Sequence, residues 1–263
     1  MAGSGSWRRI AVVLVVVLAG CSAAPGPGGT ETRTVTPAPV PEARGFAPGV
    51  TAGGMNASTV LATHKARLAN RSYTLTTTLS IQNRSTRTTQ WRERTVTRVA
   101  ASQTPFATTT NYSEPRPYDD VVRTALYYDG TTTRRSVTAN GTVSFERFDH
   151  QTTSDLTNAD LLGNVFYQLT GLQVRRGASG ATVVSGTVRY PRLLPTPPNV
   201  QADGQATVSI RIGQNGIVER TVVGYDGWSD GGLGRVRLVT RVTDLGSTTV
   251  ERPLWTNASA TDA

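Results

Sequence analysis

This sequence predicts a mainly β (α+β) fold, in which a curved antiparallel sheet forms a half-open barrel and two or so helices pack on its concave side. Three observations point there. Segments in which apolar residues alternate with Thr or Ser recur from residue 73 onward, the period of a strand with one wet side. Asp129-Gly130, Asn140-Gly141 and Asn215-Gly216 separate such segments at hairpin distance and suit turns that need positive φ. Two stretches show helical spacing instead, too few to bury a sheet of about ten strands from both sides. A sheet of that size curls, and its inner face must be covered.

The first fifty residues belong to another regime. Trp7-Arg8-Arg9 and the ten apolar residues Ile10 to Ala19 read as the n- and h-regions of a signal peptide over 1–20. Ten helical residues span about 15 Å, half of a ~30 Å hydrocarbon core. Leu18-Ala19-Gly20-Cys21 resembles a lipobox, so Cys21 is the expected site of lipid attachment and the new N-terminus. Arg8-Arg9 leaves both the general and the twin-arginine export routes open. Cys21 is the sole cysteine, which removes internal disulfides and cysteine-based metal sites from consideration. Residues 21–50 hold Pro25, Pro27, Pro37, Pro39, Pro41 and Pro48 among small polar residues and read as a disordered tether. Its mean reach is roughly 30 Å.

Residues 51–256 read as a single β-rich domain, followed by a disordered tail over 257–263. Met55 to Ala69 is the first helix, with Asn56 or Ser58 as cap and Val60, Leu61, His64 and Leu68 along one side. Strands follow at 73–81, 88–101, 106–113, 124–129, 131–138 and 142–148. Thr157 to Leu172 is the second helix. Thr157 caps it, Leu161, Leu162, Val165, Phe166 and Leu169 form its stripe, and Gly171 stops it. Further strands are expected at 172–176, 181–190, 206–212, 217–225, 234–243 and 248–254, with a proline-marked loop around Pro191 to Pro198.

The chain carries a net charge of +9, almost wholly from arginine, since Lys65 is the single lysine. The arginines are spread through strands rather than clustered, and an exported, lipid-tethered chain does not meet DNA, so no nucleic-acid partner is expected. A positive domain beside a membrane is drawn to anionic head groups at short range. Asn83 and Asn140, each in an Asn-x-Ser/Thr sequon at an expected turn, are the best glycosylation candidates of six sequons.

The order of helix, hairpins, helix and hairpins behind a lipobox resembles bacterial lipoprotein carriers and mycobacterial lipid-binding lipoproteins. With the stretches 46–80 ("FAPGVTAGGMNASTVLATHKARLANRSYTLTTTLS") and 244–255 ("DLGSTTVERPLW"), it is similar to a haloarchaeal lipoprotein family of unknown function. That resemblance implies a place, the outer face of the cytoplasmic membrane, and a half-barrel that holds acyl chains. It implies no chemistry.

No catalytic constellation stands out. His64 and His150 are far apart, which is poor material for a zinc site. Asp119-Asp120, a carboxylate pair in a loop, could hold calcium only if other oxygens converge on it, and "YDGWSDGGLG" (225–234) reads as a glycine-rich hairpin connection. The Gly-x-Ser-x-Gly spacing at 227–231 falls inside that hairpin connection, with no helix expected after it, so it does not read as a nucleophile elbow between a strand and a helix. Neither enzyme activity, cofactor nor metal is expected. The expected function is that of a surface-anchored lipoprotein holding an apolar or lipid-like ligand. Leu75, Leu79, Val208, Ile210, Val236 and Leu238 would form the inner face, and Phe166 and Leu169 the lid. The alternative is a structural or interaction protein of the envelope, without a ligand cavity, that meets an acidic partner through its arginines.

Overall fold

The computed structural model describes residues 45–116, 120–149 and 155–257. The expected signal peptide, Cys21 and nearly all of the expected tether lie outside these residues, as do His150 and the segment from 258 onward.

A two-residue ribbon, β1 (Val50–Thr51) and β2 (Gly54–Met55), leads into α1 (Ala57–Leu68). Asn56 caps this helix, its side-chain oxygen accepting from the Thr59 N–H at 2.9 Å. Val60, His64 and Leu68 are buried four residues apart on one stripe. Six strands follow as a meander: β3 (Tyr73–Asn83), β4 (Thr89–Val99), β5 (Phe106–Tyr112), β6 (Val121–Tyr128), β7 (Thr133–Ala139) and β8 (Thr142–Phe148). After α2 (Ala159–Phe166) come β9 (Leu169–Arg176), β10 (Thr182–Val188), β11 (Gln201–Ile212), β12 (Val218–Ser229) and β13 (Gly232–Thr243).

Among the described residues, eleven strands form one antiparallel sheet in the order β8-β7-β6-β5-β4-β3-β13-β12-β11-β10-β9. The sheet is curved and unclosed, a half-open barrel with the two helices inside. The β8-to-β9 connection runs from one edge strand to the other, and α2 lies on it. That route places its apolar stripe over the sheet. The turn Asn140-Gly141 joins β7 to β8 with both residues at positive φ, 49° and 73°, and "YDGWSDGGLG" holds the β12–β13 hairpin, its strands paired up to Ser229 and Gly232 and joined by Asp230-Gly231.

Strand parity decides what faces the helices. Tyr73, Leu75, Leu79 and Ile81 of β3 point inward and are buried, as are Val236 and Leu238 of β13. A main cluster joins Val60 of α1 and Leu161, Leu162, Val165 and Phe166 of α2 to the inward residues of β3 and β10–β13. A second joins Leu68, Tyr73, Leu75, Val99, Phe106, Leu156 and Ile217.

Two expectations need correction. The second helix ends at Phe166 rather than Leu172, and Leu169 begins β9, opposite Val188. The register of β9 slips where Ser185 pairs with Gln173 but Thr187 pairs with Thr170, and Gly171 sits there at φ +60°. This bulge lets Leu169 and Leu172, three residues apart, each pack against the main core, a spacing that imitates a helix. The strand expected at 248–254 does not form. Thr249 to Trp255 run along the outer face of β4–β6, where they line a hollow of about 630 Å³ with Arg98, Thr109 and Arg123, and Trp255 stacks on Phe145 at 6.3 Å.

The cap of α2 also differs from expectation. Asp155, not Thr157, accepts from the Ala159 and Asp160 N–H groups at 3.0 and 2.8 Å, and from the Thr157 hydroxyl at 2.9 Å. Asp155→Ala is therefore expected to cost about 1–2 kcal/mol of stability, and Thr157→Ala less, as read by urea unfolding. Equal losses would show that the carboxylate is not the cap.

Candidate ligand site on the inner face

The inner face divides into two parts. Under the helices it is dry. Leu79, Val208, Ile210, Val236, Leu238 and Phe166 meet in the main cluster, with Leu169 half-buried at its rim and Leu75 in the second cluster. Seven of these eight residues are buried, and six of them share the main cluster, while Leu75 belongs to the second and Leu169 stays at the rim.

Toward β8 the face changes character. Cross-strand pairing runs Thr221, Thr240, Thr77, Thr95, Thr110 and Thr124 in one row across β12, β13, β3, β4, β5 and β6. The hydroxyls of Thr95 and Thr110 hydrogen-bond at 2.9 Å, and those of Thr97 and Thr108, in the neighbouring row, at 3.1 Å. A hydroxyl belt thus crosses an otherwise apolar wall. Along this part Tyr112, Thr124, Leu126 and Val137 are half-buried rather than sealed.

Trp91 marks the boundary. It lies opposite Ile81, packs in the main cluster, and its ring is 6.2 Å from Tyr112. Its indole Nε1–H is buried and has no hydrogen-bond partner among the described residues; the same holds for the Thr221 hydroxyl oxygen. An unsatisfied buried polar group costs about 1–3 kcal/mol. Glu93, next inward on β4, has its carboxyl pushed above the usual range, chiefly by burial, against the opposing pull of the Thr95 hydroxyl and of Arg116. This part of the inner face therefore offers an aromatic wall, a row of hydroxyls and a carboxyl whose pKa is raised by burial.

His64 ties the cover to the wall. The Val218 N–H donates to Nδ1 at 3.1 Å, so Nε2 carries the proton and donates to the Thr157 carbonyl at 3.0 Å. The ring is a buried strut between α1, β12 and the entry to α2, not a ligand. Asn83 and Asn140 stand at the β3–β4 and β7–β8 turns. The Asn83 oxygen accepts from Ser85 and Thr86, and the Asn140 amide donates to Asp120 at 3.2 Å.

Sequence reasoning missed the threonine row. Thr77 shares its face with Leu75 and Leu79, but no spacing along one strand announces that five other strands place threonine opposite it.

No protein-family model matches the chain, and no curated protein matches it. Among solved structures, the Mycobacterium tuberculosis lipoprotein LppX aligns at 13% identity over 73% of this chain and 98% of its own, with a TM-score of 0.37. A DUF1329 family protein from Desulfovibrio piger aligns at 10% identity over 78% and 96%, with a TM-score of 0.28. MucB in complex with MucA(peri) aligns at 12% identity over 73% and 96%, with a TM-score of 0.17. These scores lie below 0.5, so the architecture rests on this chain's own strand pairing. No helix among the described residues is long and apolar enough to cross a membrane.

Proposed function

We propose that this chain is a surface-anchored, non-enzymatic lipoprotein, tethered through Cys21, that holds an amphipathic, lipid-like ligand against the inner face of the half-barrel. The observation that supports this reading is the buried Trp91 indole N–H with no partner among the described residues, beside Tyr112 and a row of hydroxyls on a half-buried stretch of the inner face. An apolar chain would lie along Trp91, Tyr112 and Leu126, each buried CH₂ contributing about 0.8 kcal/mol. Its polar end would meet the hydroxyls. The floor of Leu75, Leu79, Val208, Ile210, Val236 and Leu238 would come within reach where α2, with Phe166, and the rim at Leu169 give way. Asn83 and Asn140, on exposed turns, are the proposed glycan sites, readable by the same mass analysis.

Native mass spectrometry of the protein, gently extracted from its own membranes, is expected to show one lipid-like adduct per chain in addition to the anchor. Trp91→Phe, which removes the orphan N–H and keeps an aromatic ring, is expected to fold normally and lose most of that adduct. A bare domain in repeated preparations would overturn the reading and leave the scaffold alternative.

A further inference from the structure

The outer face of the same sheet carries a feature of a different kind. Arg220 of β12 lies directly opposite Arg241 of β13, and Arg241 lies opposite Thr76 of β3. Arg94 of β4 pairs with Thr78, and Arg237 with Gly224, beside which the Arg235 guanidinium lies. All alternate with inward-facing residues, so the four guanidinium groups share one face. With Thr76, Thr78, Val239 and Thr243 they line a hollow of about 410 Å³.

Sheets ordinarily set opposite charges across such pairs, and like charges face to face are unfavourable. The carboxylates nearby in sequence do not relieve the conflict. Asp226 is engaged by Arg84 at 3.0 Å and Arg235 at 3.2 Å, and Glu219 by Arg211 at 2.8 Å. Among the described residues, none of the four arginines has an ion-pair partner. Independently, the Nε–H of Arg220 is buried without a hydrogen-bond partner. Burial first, then Arg241 and Arg237, press the Arg220 guanidinium below its usual range.

We propose that this hollow is a binding site for a phosphate-type oxyanion, held by the forks of Arg220 and Arg241, flanked by Arg94 and Arg237, with the Thr76 and Thr78 hydroxyls as further donors. The chemistry follows from the inventory. Arginine offers donors and no acceptor, in a planar fork that matches two oxygens of a phosphate. A group of more than one negative charge answers clustered cations better than a single carboxylate does. The site is on the face away from the helices and does not depend on the inner-face reading.

The test titrates the full chain with inorganic pyrophosphate in sodium chloride of constant ionic strength, beside an Arg220→Gln/Arg241→Gln double variant. Calorimetry is expected to show saturable binding that weakens at least tenfold in the variant, and a second series at higher sodium chloride is expected to show weaker binding to the parent. The variant's unfolding midpoint in chloride alone is expected to equal or exceed the parent's, because a like-charge pair is gone. Equal affinity in both proteins, or a variant that is destabilised in chloride, would overturn the proposal. Vesicles of phosphatidylcholine with and without phosphatidylglycerol distinguish the source. Arginine-dependent capture by the anionic vesicles assigns the phosphate to a lipid head group, and pyrophosphate binding without capture assigns it to a soluble phosphate.

Discussion

Replacing His64 by alanine is expected to lower the free energy of unfolding by about 3–5 kcal/mol, the loss of a packed ring together with two buried hydrogen bonds. The Val218 N–H and the Thr157 carbonyl would both be left without their partner in a region closed to water. Burial also holds the imidazole below its ordinary value of 6.5, against the smaller opposing effects of the Thr157 carbonyl and Asp155. The sign of the pH dependence follows. Above about 6.5 both folded and unfolded chains carry a neutral ring, and the strut contributes fully. As pH falls below that value the unfolded chain takes up a proton that the native ring refuses, and stability declines until the depressed native value is reached. Urea unfolding of both proteins at pH 7.5 and 5.5 would check this. The parent should lose more stability between the two than His64→Ala does. Equal slopes, or a loss under about 1 kcal/mol at pH 7.5, would mean that the ring is not the strut described.

Phe166→Ala is expected to cost about 3–5 kcal/mol, the range for emptying a packed aromatic position. Phe166 is buried against the same cluster as Val236 and Leu238, and α2 holds it there with Leu162 and Val165. Leu254, 90% exposed, is the natural contrast, and Leu254→Ala should change stability by less than about 0.5 kcal/mol. The Phe166 variant should also bind an apolar fluorescent dye in its folded state, because its void is walled by aliphatic side chains. Thermal unfolding and dye titration would measure the two effects. A variant as stable as the parent would show that α2 is a loosely docked flap rather than part of the core.

Much of the architecture was legible because strand parity is a local signal. The alternation in Tyr73, Leu75, Leu79 and Ile81 marks the inward face of β3, and Asn140-Gly141 marks the β7–β8 turn, without any knowledge of partners. Asn56 was legible as a cap for the same reason. The failures share one cause. At Leu169 a bulge shifts the pairing, so a β spacing of three copies a helical one. Thr249 to Trp255 alternate like a strand but lie across the outer face, where aromatic stacking holds them. The threonine row and the arginine hollow are assembled across four to six strands, and register is a property of the pairs rather than of any one strand.

The order of strands has a kinetic consequence. Within the large sheet, as far as it is described, each neighbouring pair is consecutive in the chain except β3 with β13. Both arrays of hairpins can zip from their own turns, each step closing a short loop. The barrier then belongs to one encounter, Tyr73–Asn83 with Gly232–Thr243, between segments more than half the chain apart. Until that seam closes, two sticky strand edges stand open, and β3 and β13 are where the molecule is most exposed to pairing with the wrong neighbour.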